Sequence, residues 1–154
     1  MDYSESLIVH FRRVEILRNE ALSLKNIDLT GQQQADIELL LNRGMYPLDG
    51  YMDRGNYEAV LDTMRLEDGT VFPLPICLDV DKNTADSLAQ GQRVALNDQE
   101  GVLLAILTIT DIWPLDSTRE AEAVYGTTDP TRHPEVRSLF ARQTNWYVGG
   151  TLEG

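Results

Sequence analysis

The chain has 154 residues, 42% hydrophobic and 25% charged, with a single cysteine and a formal net charge of −12. Its length and composition suit one globular core that needs neither metal nor disulfide to fold. A field of that sign disfavours phosphate-neutralising nucleic-acid binding and anionic membrane surfaces. No apolar run reaches the roughly 20 residues that span a bilayer, and the first residues lack the basic and apolar regions of a signal peptide. A soluble cytoplasmic protein without nucleic-acid or membrane partners is therefore expected.

Leu7, Phe11, Val14, Leu17, Leu22 and Leu24 recur with a loosely helical period, which predicts an amphipathic N-terminal helical segment within residues 1–25. Thr30 followed by Gln33 forms a capping-box pattern. It opens a helix whose Ile37, Leu40 and Leu41 share a face and which Gly44 is expected to stop. A Pro/Gly loop, Met45–Tyr51, leads to a short helix capped by Asp53 or Asn56. From Leu74 to Val80 the period changes to two, with Leu74, Ile76, Leu78 and Val80 on one face. Pro73 and Pro75 remove two ladder donors and confine that strand to an edge. Thr84 to Gln90 reads as a short helix closed by Gly91.

Arg93 to Leu96 and Val102 to Ile112 flank an Asp98–Gly101 turn and predict a hairpin whose apolar second arm is a central strand. Asp116 or Ser117 starts a helix that Gly126 stops, and Pro134 begins another running to about Arg142. Trp146, Tyr147 and Val148 form a last strand, which Gly149 and Gly150 are expected to break. Strands and helices alternate without a βαβ rhythm, so the expected class is α+β.

No catalytic, cofactor-binding or metal-ligating set emerges from the residues. The two histidines, His10 and His133, are far apart, and His133 before Pro134 suits a helix start. No CxxC, GxGxxG, GxxxxGK or GxSxG pattern is present. Asp79, Asp81 and Asn83 begin like a calcium loop but lack its glycine and distal glutamate, and read instead as a strand end. Cys77 has no basic neighbour to activate it.

Several segments resemble ATP sulfurylase (sulfate adenylyltransferase), most closely bacterial forms fused to an adenylylsulfate kinase. They are Leu29–Asn42, Gly44–Met52, Met64–Thr70, Pro73–Val80, Glu120–Pro130 and Tyr147–Gly150 with Leu152–Gly154. Gln32, Gln34 and Arg43 depart from the family's Arg, Leu and Gly. The resemblance implies a single PUA-like β-barrel with surrounding helices over residues 1–154, with residues 149–154 starting a linker to a catalytic domain. The family's Gln-x-Arg-Asn-Pro-x-His segment is missing, so the resemblance implies a non-catalytic N-terminal accessory or scaffold domain, inactive alone and free of cofactors. The parent reaction converts ATP and sulfate to adenylyl sulfate and pyrophosphate. Implied partners are the nucleotidyltransferase domain, an adenylylsulfate kinase domain and further copies in a homo-oligomer. Gly44, Pro47, Leu48, Gly50, Tyr51, Gly149 and Gly150 are the candidate interdomain or loop-structural residues. The alternative is a stand-alone PUA-like module that binds RNA or a small-molecule regulator.

Overall fold

The computed structural model describes residues 11–153 apart from Arg43, Tyr46, Pro73, Arg142 and Gln143, and its contacts gather into two compact units. The first is drawn from the chain up to Tyr51, from Ala89–Thr110 and from Gly149 onward; the second from Met52–Leu88 and Asp111–Val148. Expectations for Leu7, His10, Pro73 and Tyr46 lie outside the described residues.

In the first unit, α1 (Phe11–Ala21) buries Leu17, and β1 (Asn26–Asp28) follows. The capping box at the start of α2 (Gly31–Leu41) forms as its spacing requires. Thr30 Oγ1 accepts the Gln33 amide at 3.3 Å and Gln33 Oε1 accepts the Thr30 amide at 2.9 Å. Two otherwise orphaned donors are satisfied reciprocally, and Ile37, Leu40 and Leu41 are then set on the buried face. The helix ends earlier than Gly44, at Leu41 with Asn42 as its cap. Asn42 Oδ1 accepts the Gly44 amide at 2.9 Å.

Strand β2 (Gly50–Tyr51) comes next, and the expected hairpin is present as β4 (Arg93–Asn97) and β5, which begins at Leu103 and continues to Pro114. Its turn is held by Asp98, whose carboxylate accepts the Glu100 and Val102 amides at 2.9 Å each, while Gly101 supplies φ 86°. The pairing order is β1–β4–β5–β6–β2, where β6 is Trp146–Glu153. The apolar β5 is central, as its composition predicts. β1 pairs parallel to β4 and the β4–β5 pair is antiparallel, giving a mixed sheet. The described pairings run in a line from β1 to β2 and do not close into a ring. The α+β class holds, and the barrel is open.

In the second unit, Asp53 caps α3 (Arg54–Thr63) by accepting the Asn56 amide at 2.8 Å, leaving Asn56 Oδ1 to accept the Glu67 amide at 2.9 Å. The period-two stretch yields a strand only at β3 (Leu78–Val80), which pairs antiparallel with Trp146–Val148 of β6. Ile76 is buried but Leu74 is half exposed, so the ladder starts beyond Pro75, where every residue can donate.

Asp81 caps α4 (Lys82–Asp86) through the Thr84 amide at 2.7 Å, so the calcium-like letters are a strand end followed by a helix cap. Asp116 caps α5 (Ser117–Glu120), which widens into a π-helical turn at Ala121–Tyr125 and stops at Gly126 with φ 71°. Pro134 starts α6 (Pro134–Ala141). His133 Nδ1 accepts the Glu135 amide at 3.2 Å, so the histidine does line the helix start.

Candidate functional site

The loop after α2 and the final glycines are more than ninety positions apart in sequence, yet the first unit brings them into one ladder. Gly50 pairs with Thr151 and Tyr51 with Gly150 in antiparallel register, and the Leu152 amide donates to the Asp49 carbonyl at 3.0 Å. Tyr51 is buried, and its hydroxyl donates to the Gln33 carbonyl at 3.4 Å, tying the loop to α2. Leu48 is buried beside it in sequence, and its amide donates to the Met45 carbonyl at 3.0 Å. Gly44 is exposed and Pro47 half-buried.

The two buried glycines of the ladder face a tight space. A Cβ on Gly50 would overlap the Gly150 carbonyl oxygen, and one on Gly150 would overlap the Thr108 carbonyl oxygen of β5. Gly150 therefore lets two neighbouring backbones approach it, and a side chain would part them. The strand runs straight through Gly149 and Gly150 to Glu153. This corrects the expectation that these glycines break the strand: the same residue type serves turns and close backbone packing.

Beyond that ladder, Arg93 joins three elements of the first unit. Its Nε and Nη2 grip both oxygens of Glu20 at 2.5 and 3.0 Å, while Nη1 donates to Glu153 at 3.3 Å and Thr108 Oγ1 at 3.0 Å. Arg13 Nε reaches the other oxygen of Glu153 at 2.7 Å. The forked geometry matches a carboxylate in two directions at once, which an ammonium could not do. The Arg93 guanidinium holds the Glu20 carboxyl below the usual carboxylate range, and Arg13, with Arg93, does the same for Glu153. None of this is legible in the sequence, because the ion-pair partners are 60 to 140 positions apart.

In the second unit, Glu120 is 4% exposed and its Oε1 accepts the hydroxyls of Tyr57 and Tyr147, both at 2.7 Å. The two tyrosine rings meet at 5.1 Å between centroids in an edge-on arrangement, and Trp113 packs against both at 5.6 and 5.8 Å. Burial, reinforced by the Glu120 charge, raises the Tyr57 phenol far above its ordinary value. The donors satisfy a carboxylate that burial would otherwise penalise. Glu120 looks in sequence like any surface carboxylate, and only the approach of α3 and β6 sets it apart. Among the described residues there is no group of three or more metal-ligating side chains, and no helix is long and apolar enough to cross a membrane.

A family model described as a PUA-like domain matches residues 4–154. The chain is 48% identical over 141 residues to the sulfate adenylyltransferase of Schizosaccharomyces pombe, a match covering 90% of this chain and 29% of that protein. It is 44% identical over 140 residues to the sulfate adenylyltransferase of Mycosarcoma maydis, covering 89% of this chain and 24% of the relative. A solved structure, the hexameric APS kinase from Thiobacillus denitrificans, superposes with a TM-score of 0.73 at 31% identity over 97% of this chain and 25% of that one. The chain thus spans about a quarter of the length of the relatives it matches.

Proposed function

The chain belongs to the PUA-like domain family, and from that membership we propose that it acts as the non-catalytic N-terminal accessory domain of a sulfate adenylyltransferase. The observation that carries this reading is the asymmetry of the matches: nearly all of this chain aligns, against 24% and 29% of the two relatives. The remaining three quarters of such an enzyme has room for the chemistry, which joins ATP and sulfate into adenylyl sulfate and releases pyrophosphate. The partners of this domain are then the nucleotidyltransferase domain, an adenylylsulfate kinase domain and further copies of the parent. A cytoplasmic location follows from the same role.

As a scaffold, the domain has to present a rigid surface. The Gly50–Tyr51 ladder and the Arg93 network support that role, since the first pairs β2 with β6 and the second ties Glu153, the last described residue of β6, to Arg13 of α1 and Arg93 of β4. The candidate interdomain residues are a surface pair, Gly44 and Pro47, resting on an inner set, Leu48, Gly50, Tyr51, Gly149 and Gly150. We assign the inner set to holding the loop and the outer pair to contact with the catalytic domain.

The test is sulfate-dependent ATP–pyrophosphate exchange. This chain alone is expected to show none above buffer, whereas the Schizosaccharomyces pombe enzyme carrying this chain in place of its matching segment retains exchange. Turnover by the chain alone, or a folded but inactive chimera, would overturn the accessory role.

A further inference from the structure

A cleft of about 390 Å³ opens in the first unit, lined by Arg18, Ala21 and Leu22 at the end of α1, by Asn26, and by Asn97 and Leu103 of the hairpin. We propose that it binds a small organic monoanion, a carboxylate carrying an apolar body, through Arg18 and Asn97. The inference is independent of the accessory role.

Asn97 carries the first part. It is 8% exposed, and its side-chain amide makes no hydrogen bond among the described residues, while its backbone carbonyl is occupied by the Leu29 amide at 2.8 Å. With no hydrogen bond to the described residues, the carboxamide keeps a donor and an acceptor for whatever fills the cleft. Its placement results from a register shift of the β4–β5 ladder between Leu96 and Asn97, the kind of irregularity that re-aims a side chain.

Arg18 carries the second. Arg13 and Arg93 in the same unit are both engaged by carboxylates, whereas Arg18 has no ion-pair partner among the described residues. Its planar fork fits a carboxylate. One cation in so negative a field suits a single negative charge and repels polyphosphates. Leu22, 87% exposed, with Ala21 and Leu103, supplies an apolar wall for the body of the ligand. The volume lies within the range of small-molecule sites, about 300–1,000 Å³.

The experiment is an amide-resolved NMR titration of the full chain with 3-phenylpropionate. Saturable shifts are expected at Leu22, Gly101 and the Asn97 side-chain amide. Affinity should fall at least about tenfold in Arg18→Gln and for the uncharged 3-phenylpropionamide, which lacks the carboxylate. Asn97→Leu should also weaken binding, and inorganic sulfate, having no apolar body, should produce no saturable shift there. Arg18 is exposed, and the dispersion of the same spectra reports whether each variant is folded. Absence of saturable shifts at these positions overturns the proposal. So does a folded Arg18→Gln that binds equally well, an amide as tight as the acid, or sulfate binding at the same amides.

Discussion

Gly150 lies on β6 between β5 and β2. The carbonyl of Thr108 lies on one side and the Gly50 backbone on the other. Neither neighbour is the flexible end of a side chain, so a methyl group there can be accommodated only by moving a strand. Gly150→Ala is expected to destabilise the chain by about 3 kcal/mol, the upper range for overpacking. Gly31 is the internal control: it is the first residue of α2, and a Cβ there meets nothing within 4 Å. Gly31→Ala should be neutral or stabilising by up to about 0.5 kcal/mol, since it restricts the unfolded chain without a clash. Urea denaturation with unchanged m-values checks both. A Gly150→Ala variant as stable as the parent would show that the strands can separate without cost. The sequence announces that Gly150 matters but not how. A glycine needed for space and one needed for a left-handed φ are the same letter, and the close approach depends on Gly50 and Thr108, which lie far away along the chain.

Local elements were legible where the determining residues are neighbours. The Thr30–Gln33 box, the Asp98–Gly101 turn, Gly126 and Pro134 each act within a few positions, and all are found where their spacing puts them. The π-helical turn and the shortness of β3 were not legible, because packing decides them. Glu120 shows the same limit at the scale of three elements. It lies at the end of α5, while its hydroxyl donors stand on α3 and β6. Tyr57→Phe removes one hydrogen bond to a buried carboxylate and should cost about 1.5–3 kcal/mol, as such bonds do when the acceptor is charged. The cost in a Tyr57→Phe, Tyr147→Phe double variant should exceed the sum of the two singles, because Glu120 then loses both donors.

The pH dependence of this cluster has a definite sign. The folded Tyr57 phenol is held above the unfolded value of about 10, so its contribution to stability is complete below that pH. Above it the unfolded chain ionises first, and stability falls as pH rises. In a tyrosinate absorbance titration of the folded protein, Tyr57 should stay protonated after exposed tyrosines have ionised. Simultaneous ionisation of all tyrosines while the fold persists would refute the assigned environment.

For the whole molecule, the α+β class and the family resemblance were readable because ordered segments carry them, whereas strand order was not. The parallel β1–β4 pair and the path from β1 to β2 depend on pairings that no periodicity encodes. Charge, however, is additive and needs no fold to be counted. At neutral pH the net −12 acts as self-repulsion throughout the folded state, opposed by local ion pairs. Those pairs are weak in aggregate. Even the best-covered partners, Arg93 and Glu20, keep 27% and 31% of their side-chain surface exposed, and pairs of this kind contribute about 0–1 kcal/mol each.

Salt screens both effects, but the repulsion is long-ranged and the ion pairs are contacts. Shortening the Debye length from roughly 20 Å to 6 Å therefore weakens the repulsion more. The melting temperature at pH 7.5 should rise as sodium chloride goes from about 20 mM to 300 mM. The rise should be smaller in a variant such as Glu38→Lys, which replaces an exposed acid on α2 that has no ion-pair partner among the described residues and cuts the net charge by two. A fall in melting temperature with salt would mean that the Arg93 network, and not the global charge, governs stability.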